Sequence, residues 1–214
     1  MEVVLDNRDL FLAGMLTTVS LTLVSYAAAF VIGTVVAAFR VSPVPPLRAA
    51  GAVFVGAVRN TPLAVLMVLF FSGLGDAGIL FTRYTSAVIV LSAYTGSFVA
   101  ETIRSGINTV ARGQGEAARS LGLTFPQVLR IVVLPQAFRT VVGPLGSIFV
   151  ALIRNSALAA LISVPELAGN AEQLLTDTAQ PIPIFLGTAI AYMMLTLPSA
   201  WVVNLLEHRL AVKR

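Results

Sequence analysis

Two arginine-asparagine pairs stand inside long apolar stretches of the sequence, at Arg59-Asn60 and at Arg154-Asn155. A guanidinium group can bind a carboxylate through two parallel hydrogen bonds, and an asparagine amide adds further donors. An unpaired arginine in the middle of a bilayer costs at least about 2.5–3.5 kcal/mol, so each must face protein or a water-filled cavity. The pattern indicates binding of a small carboxylate solute. The alternative is that each arginine pairs with an acid or with carbonyl groups and only fixes helix packing.

The residues beside these two pairs are also polar. Thr61 and Pro62 follow the first pair, and Ser156 follows the second. Because proline has no backbone N–H, Pro62 leaves a carbonyl of the preceding turn without its helical partner. Arg59 lies eleven residues after Arg48, which is about 16 Å along a straight helix, so we expect Arg59 near the bilayer midplane.

Groups suited to catalysis are scarce in this sequence. Glu101 is the one acid close to the interior of an apolar stretch, and it can pair with Arg104 three residues later on the same helical face. The single histidine, His208, stands in a basic tail, where we expect a surface residue. The absence of cysteine excludes disulfides, thiolate metal sites and cysteine catalysis. An integral-membrane enzyme is therefore a poor interpretation.

The composition is that of an all-α integral membrane protein. Of 214 residues, 57% are hydrophobic and only 11% are charged, whereas soluble domains are about one quarter charged. The net charge of +4 does not indicate nucleic-acid binding, because the positive charge is confined to loops between apolar stretches. The positive-inside rule explains that distribution better.

Five apolar stretches predict five transmembrane helices. A bilayer core needs about 20 helical residues. The fourth stretch is too short alone, so it must include residues 138 and 139 or continue to about residue 161. A short outer helix to about residue 176, opened by a capping box from Ser163 to Glu166, should precede the fifth. The predicted spans are 9–40, 49–71 with an interruption at 59–62, 84–104, one around 140–153, and 184–206.

The charges at the two ends predict the orientation. Acidic residues precede the first span, and Arg40 and Arg48 follow it. The C-terminal tail from Glu207 to Arg214 is basic. The positive-inside rule then places the N-terminus outside and the C-terminus in the cytoplasm.

A charged segment, residues 113–139, separates the third span from the fourth. Residues 116–121 favour a short helix that Gly122 is placed to end. Thr124 then begins a second helix, with Pro126 in its first turn and Gln127 three residues after the threonine, as in a capping box. Such a compact cytoplasmic projection is suited to binding by another protein.

This segment resembles the "EAA loop" of permease subunits of bacterial ATP-binding-cassette (ABC) importers. That pattern is Glu-Ala-Ala, a glycine four residues later, and an Ile-x-x-Leu-Pro run. Gly113-Gln114 and the run from Pro135 to Arg139 are similar to the polar amino-acid branch of the family. The matching positions are Glu116, Ala117, Ala118, Gly122, Ile131, Leu134 and Pro135.

Two membrane motifs extend the resemblance to most of the chain. The branch carries Arg-Gly-Thr-Pro in its second span, and here Asn60 replaces the glycine, which looks like glutamate-type members. Its fourth span ends in Lys-Asn/Asp-Thr/Ser-Ser, where Arg154 stands for the lysine and Ala157 departs from the last serine. That departure weakens the case that this subunit binds substrate by itself. The stretch from Ala93-Tyr94 to Arg104 looks like the family's third span.

The resemblance implies a fold and a set of partners. The fold would be a type I ABC importer transmembrane domain, one permease domain over residues 1–214 with the EAA loop at about 105–139. The partners would be an ABC ATPase dimer, a second permease subunit that is identical or homologous, an extracytoplasmic amino-acid-binding protein and the lipid of a bacterial cytoplasmic membrane. ATP and Mg²⁺ would bind the ATPase subunits, because this chain has no Gly-x-x-x-x-Gly-Lys-Ser/Thr and we expect it to bind no cofactor or metal.

The resemblance also implies roles for particular residues in importing a polar amino acid. Glutamate or glutamine is the expected substrate, with histidine and arginine left open. A secondary amino-acid transporter without an ATPase is the rival interpretation, although it needs no EAA loop. The expected ATPase-coupling residues are Gly113, Glu116, Ala117, Ala118, Leu121, Gly122 and Leu123, and the expected substrate pathway comprises Arg59, Asn60, Thr61, Pro62, Tyr94, Glu101, Arg154, Asn155 and Ser156.

Overall fold

A computed structural model describes residues 2–210, which form helices joined by short turns and contain no β-strand. The all-α prediction is therefore confirmed. A π-helix, Val128–Val133, and a 3₁₀-helix, Ser156–Ile162, accompany the α-helices. The α-helices are α1 (Glu2–Asp6), α2 (Arg8–Val41), α3 (Pro45–Arg59), α4 (Leu63–Asp76), α5 (Arg83–Asn108), α6 (Arg112–Ser120), α7 (Phe125–Gln127), α8 (Leu134–Asn155), α9 (Leu167–Thr178) and α10 (Pro181–Leu210).

The predicted number of crossings agrees with these helices. Within the described residues, α2, α5, residues 128–162 and α10 are each long and apolar enough to cross a bilayer. The pair α3 and α4 gives a fifth crossing if it counts as one broken span. Most of α10 is exposed, as expected of a helix that faces lipid. His208 is exposed near its end, and the predicted basic residues Lys213 and Arg214 lie outside the described residues.

Small residues bring α2 and α5 into close contact at the centre of the fold. Gly33 faces Val99, and a Cβ added at Gly33 would lie 2.5 Å from a Val99 methyl carbon. A Cβ added at Gly96 would lie 3.2 Å from the carbonyl oxygen of Ala29. Small residues at such positions let helix backbones approach closely, which is how helices associate in lipid. The α2–α5 pair therefore forms the centre of the fold, and α3, α8 and the 3₁₀-helix pack on both of its helices.

The second span is sharply broken at the predicted interruption. The axes of α3 and α4 differ by 100°. Asn60 donates its side-chain amide to the Gly56 carbonyl at 2.8 Å, and the Thr61 hydroxyl donates to the Ala57 carbonyl at 2.9 Å. The Asn60 bond adds to the Asn60 backbone N–H on the Gly56 carbonyl, and the Thr61 hydroxyl gives the Ala57 carbonyl a donor at the end of α3. Arg48 and Arg59 both lie in α3, and Arg59 is its last residue at the bend, so the depth expected for Arg59 stays a prediction.

The fourth span and the second helix of the charged segment form one continuous helical stretch over residues 125–162. Both proposed extensions of the fourth span are therefore present. The predicted start of the second helix after Thr124 is confirmed, but this helix does not end before the fourth span and runs on into it. The π-helical turn lies just before Pro135, which has no N–H to give to the Ile131 carbonyl.

The short outer helix exists, but its predicted cap was wrong. Ser163 adopts the left-handed conformation (φ 57°) and ends the preceding 3₁₀-helix. Glu166 is itself the cap of α9, because its carboxylate accepts from the Gly169 N–H at 2.8 Å. The fifth helix begins at Pro181, three residues earlier than predicted, since a proline is tolerated in the first turn.

Candidate functional site

The helix α6 carries the Glu-Ala-Ala sequence and ends as predicted at Gly122. Gly122 has φ 83°, a conformation that suits glycine. Its N–H donates to the Arg119 carbonyl at 2.9 Å, and the Leu123 N–H donates to the Ala118 carbonyl at 3.2 Å. These two bonds form a Schellman motif, which satisfies the last carbonyls of the helix. Gly122 therefore fixes the length of α6 and the direction of the chain after it.

The turn after α6 is held by side chains. Gln127 accepts with Oε1 from the Thr124 N–H at 2.8 Å and from the Thr124 hydroxyl at 2.9 Å. This is the half of the predicted capping box in which the glutamine reaches back. Gln136 donates to the Gln114 side-chain oxygen at 2.6 Å, so α6 is also tied to the base of the fourth span. The short helix, its turn and the membrane span are therefore joined.

One face of α6 is free and the other is packed. Ala118 is buried, and α6 packs on the π-helical turn. Gly113, Glu116, Ala117 and Leu121 are exposed, with Leu121 84% exposed. Leu121 directly follows the last residue of α6, so its exposed side chain lies at the C-terminal end of this face. Ala118 therefore packs against the rest of the protein, whereas Glu116, Ala117 and Leu121 are exposed on the other side of this segment.

Arg59 lies against an aromatic pair on α5. Its guanidinium carbon is 4.7 Å from the ring centroid of Phe98. Phe98 in turn lies 5.1 Å from the Tyr94 ring, at an interplanar angle of 52°. Tyr94, Phe98 and Asn155 line a cavity of about 110 Å³ between α5 and α8. The structure therefore gathers Arg59, Tyr94 and Asn155 at one place, through Phe98, which the sequence analysis did not single out.

Of the predicted pathway residues, only Tyr94 and Asn155 line this cavity among the described residues; Arg59 lies beside it against Phe98. Arg154 is exposed, and its guanidinium group makes no hydrogen bond or ion pair within residues 2–210. Ser156 is buried and donates to the Ile153 carbonyl at 2.8 Å. Asn60 and Thr61 are engaged with carbonyls of their own helix.

The carboxylate of Glu101 is ion-paired with two arginines. Arg104 donates to Oε1 through Nε at 3.0 Å and through Nη2, so the predicted pair is confirmed. Nη2 of Arg40, at the end of α2, lies 3.5 Å from Oε2. Arg59 acts on the same carboxylate at longer range. Arg40 was missed because its partner lies on another helix, although both residues stand at the basic ends of their spans.

A second buried carboxylate joins three helices on the opposite side of the membrane domain. Glu166 is fully buried and accepts from the Thr18 hydroxyl at 3.1 Å, from the Tyr192 hydroxyl at 2.7 Å and from the Gly169 N–H. Burial raises the pKa of Glu166 above its ordinary value, and the three donors oppose that rise. The sequence analysis noticed Glu166 but assigned the cap to Ser163, whereas Glu166 itself is the N-cap of α9.

No metal site is formed by the described residues. Within residues 2–210, no three side chains of histidine, aspartate or glutamate lie close enough together to hold an ion.

Comparison with known proteins gives consistent results over nearly the whole chain. Residues 29–212 match the family "Binding-protein-dependent transport system inner membrane component". The chain is 34% identical over 209 residues to the probable glutamine ABC transporter permease protein GlnM of Bacillus subtilis, covering 98% of this chain and 97% of that protein. It is 40% identical over 211 residues to the glutamate transport system permease protein GluC of Corynebacterium glutamicum, covering 92% of each.

A solved structure shares the fold. The crystal structure of an amino acid ABC transporter with histidines contains a chain that superposes with a TM-score of 0.91 at 30% sequence identity. The superposition covers 96% of both chains. Both α6 and Arg59 lie inside residues 29–212, which match the family.

Proposed function

The chain belongs to the family of binding-protein-dependent transport system inner membrane components, and we propose that it is the permease subunit of an ATP-driven importer for glutamate or glutamine. The observation that carries this proposal is the match over residues 29–212, which contains both α6 and the cavity beside Arg59. On this proposal residues 1–214 form one permease domain, with the EAA loop at about 105–139, and it provides half of a translocation pathway.

A second permease subunit, identical or homologous, would complete the pathway. Arg59 is exposed at the bend between α3 and α4. A guanidinium group exposed to hydrocarbon is costly, so a protein or water-filled surface must cover it. A partner permease packed against this side supplies that cover and encloses the cavity lined by Tyr94 and Asn155.

The exposed face of α6 would bind an ATPase subunit. Closure of an ATPase dimer would push residues 116–123 as a rigid lever, and the direct connection to residues 125–162 would carry the displacement into the fourth span. ATP and Mg²⁺ would bind the ATPase subunits. With α6 on the cytoplasmic side, the N-terminus would lie outside and the C-terminus in the cytoplasm of a bacterial cytoplasmic membrane. The arginines near α6 support this orientation by the positive-inside rule.

The choice of substrate rests on charge and on the named relatives. Arg59 provides a guanidinium group and Asn155 an amide beside one cavity, and both suit an amino-acid carboxylate or side-chain amide. The relatives named above are permeases for glutamine and glutamate. An extracytoplasmic binding protein would deliver the amino acid. Arg154, Glu101 and Ser156 stay in the proposed pathway as residues that a partner subunit or another conformation would bring to the solute.

The test is uptake by the complex that copurifies with this chain, reconstituted into proteoliposomes. We expect uptake of radiolabelled glutamate or glutamine that requires ATP on the cytoplasmic side and a binding protein on the other. Uptake driven by an ion gradient without ATP would support a secondary transporter instead. Uptake of neither amino acid, with ATP-dependent uptake of another, would contradict the substrate assignment alone.

A further inference from the structure

A basic cavity opens behind α6, away from the face proposed to bind the ATPase. It measures about 790 Å³ and lies between the ends of α2, α3 and α5 and the π-helical turn. Gly115 of α6 forms part of its wall. The cavity thus sits where the membrane spans meet the charged segment.

Three arginines line this cavity, and one acid is ion-paired to them within the described residues. Arg40 and Arg104 each hold one carboxylate oxygen of Glu101, and Arg48 makes no ion pair in that part of the chain. Three positive charges against one negative charge leave a net charge of two. Because the pairs with Glu101 use one nitrogen of Arg40 and two of Arg104, further guanidinium donors are left for a ligand.

The side chain of Arg40 is held in place by its packing against Gly51. A Cβ added at Gly51 would lie 3.1 Å from Cγ and 3.2 Å from Cδ of Arg40, so the arginine stem lies directly over this glycine. Its side chain is only 19% exposed although it carries a full charge. The arginine is therefore held at the cavity rather than extended into water.

Apart from Asn108, the side chains in the rest of the wall are apolar. Val41, Leu129 and Val133 contribute to it. A ligand that fits would carry a compact anion for the arginines and tolerate apolar contacts beside it. Basic pockets at the cytoplasmic ends of membrane helices have this character when they bind anionic lipid headgroups.

We propose that this cavity binds a phosphoryl group through Arg40, Arg48 and Arg104. The phosphoryl group is that of an anionic phospholipid or of a free phosphate. Guanidinium forks match the geometry of phosphate oxygens, and the net positive charge is not neutralised by this chain. A ligand here would touch Gly115 and stabilise the back of α6 against the membrane domain.

The experiment is native mass spectrometry of the purified complex in a neutral detergent, titrated with phosphatidylglycerol or with phosphatidylcholine. We expect wild-type protein to bind phosphatidylglycerol at least tenfold more tightly. The double variant Arg40→Gln, Arg48→Gln should reduce that preference to less than threefold, while Glu101 keeps its bond from Arg104. The matched control is Arg83→Gln, an exposed arginine at the other end of α5, which should keep the full preference.

A second variant guards against misfolding of the double variant. Arg48→Gln alone removes a charge that makes no ion pair among the described residues, so it should fold normally and lower the preference by about threefold. Millimolar inorganic phosphate identifies the source: displacement of the lipid indicates recognition of a free phosphate, and persistence indicates a lipid headgroup. Equal binding of both lipids by wild type, or full preference in the double variant, would overturn the proposal.

Discussion

The guanidinium carbon of Arg59 lies 4.7 Å from the ring centroid of Phe98, at the point where the second span bends by 100°. The contact joins the end of α3 to the middle of α5. It also places a positive charge one aromatic ring away from the cavity lined by Tyr94 and Asn155. The arginine is therefore oriented by the protein rather than free to turn.

Phe98→Leu should weaken substrate uptake by disturbing Arg59. A cation–π contact contributes about 0.5–2 kcal/mol, which corresponds to a change in apparent affinity of roughly 2- to 30-fold. Arg59→Ala removes the charge itself and should lower uptake by more than tenfold. The measurement is the concentration dependence of ATP-driven uptake in proteoliposomes.

Phe185→Leu is the matched control for the phenylalanine change. Phe185 is 55% exposed on α10, so its replacement should leave uptake unchanged. If uptake affinity and rate are unchanged in both Phe98→Leu and Arg59→Ala, the contact between Arg59 and Phe98 serves only helix packing.

Gly122→Val should uncouple ATP hydrolysis from uptake. The left-handed conformation at φ 83° costs a residue with a side chain about 1–2 kcal/mol, more for a β-branched one, so the Schellman motif should open. We expect the complex to assemble and hydrolyse ATP while transport falls at least tenfold. Uptake and hydrolysis are measured on the same proteoliposomes.

The control for backbone strain is Gly78→Val. Gly78 has a similar φ of 79° and nothing within 4 Å of an added Cβ, but it lies in the turn at the other end of α5. It should suffer the same local strain and keep coupled uptake. Equal loss in both variants would attribute the effect to general instability.

Local interactions account for what the sequence could predict here. Gly122, the Thr124–Gln127 contact and the Glu101–Arg104 pair each involve neighbours within a few residues, so spacing alone reveals them. The contact from Thr18 to Glu166 joins residues 148 positions apart, and that of Arg59 with Phe98 depends on the bend. Neither can be deduced without the packing of the helices. Thr61-Pro62 predicted an interruption, but its angle depends on what α3 and α4 pack against.

Glu166 should make stability depend on pH. Since burial raises its pKa, the folded state favours the protonated acid. Glu166 makes its full contribution to the free energy of unfolding below its ordinary pKa of 4.5. That contribution is lost as pH rises through the raised pKa of the folded state. The melting temperature of wild-type protein should therefore fall as pH rises above 4.5, and Glu166→Gln should flatten that dependence.

Two further variants separate charge from hydrogen bonding at this position. Glu166→Ala leaves the hydroxyls of Thr18 and Tyr192 and the Gly169 N–H without an acceptor, at about 1–3 kcal/mol for each. It should melt well below Glu166→Gln at every pH. Glu172→Gln, an exposed change on the same helix, should keep the wild-type profile. An identical pH profile for wild type and Glu166→Gln would refute the assignment.

The pair of Glu101 and Arg104 should show measurable coupling. A double-mutant cycle of Glu101→Gln and Arg104→Gln should give about 1–2 kcal/mol, because both side chains are partly shielded from water. The same cycle on Arg8 and Asp9, whose side chains are 78% and 94% exposed, should give less than about 0.5 kcal/mol. Unfolding by denaturant in detergent provides the energies, and equal coupling in the two cycles would argue against a structural role for Glu101.

The central claim is that α6 faces the cytosol and binds an ATPase. Because the chain has no cysteine, Leu121→Cys and Leu80→Cys create single reactive sites on side chains that are both 84% exposed. In membrane vesicles of known orientation, we expect a bifunctional thiol reagent to cross-link Leu121→Cys to an ATPase subunit from the cytoplasmic side. Leu80→Cys should react only from the opposite side and give no such product. Labelling of Leu121→Cys from outside, or active transport with no ATPase cross-link at that position, would contradict the account.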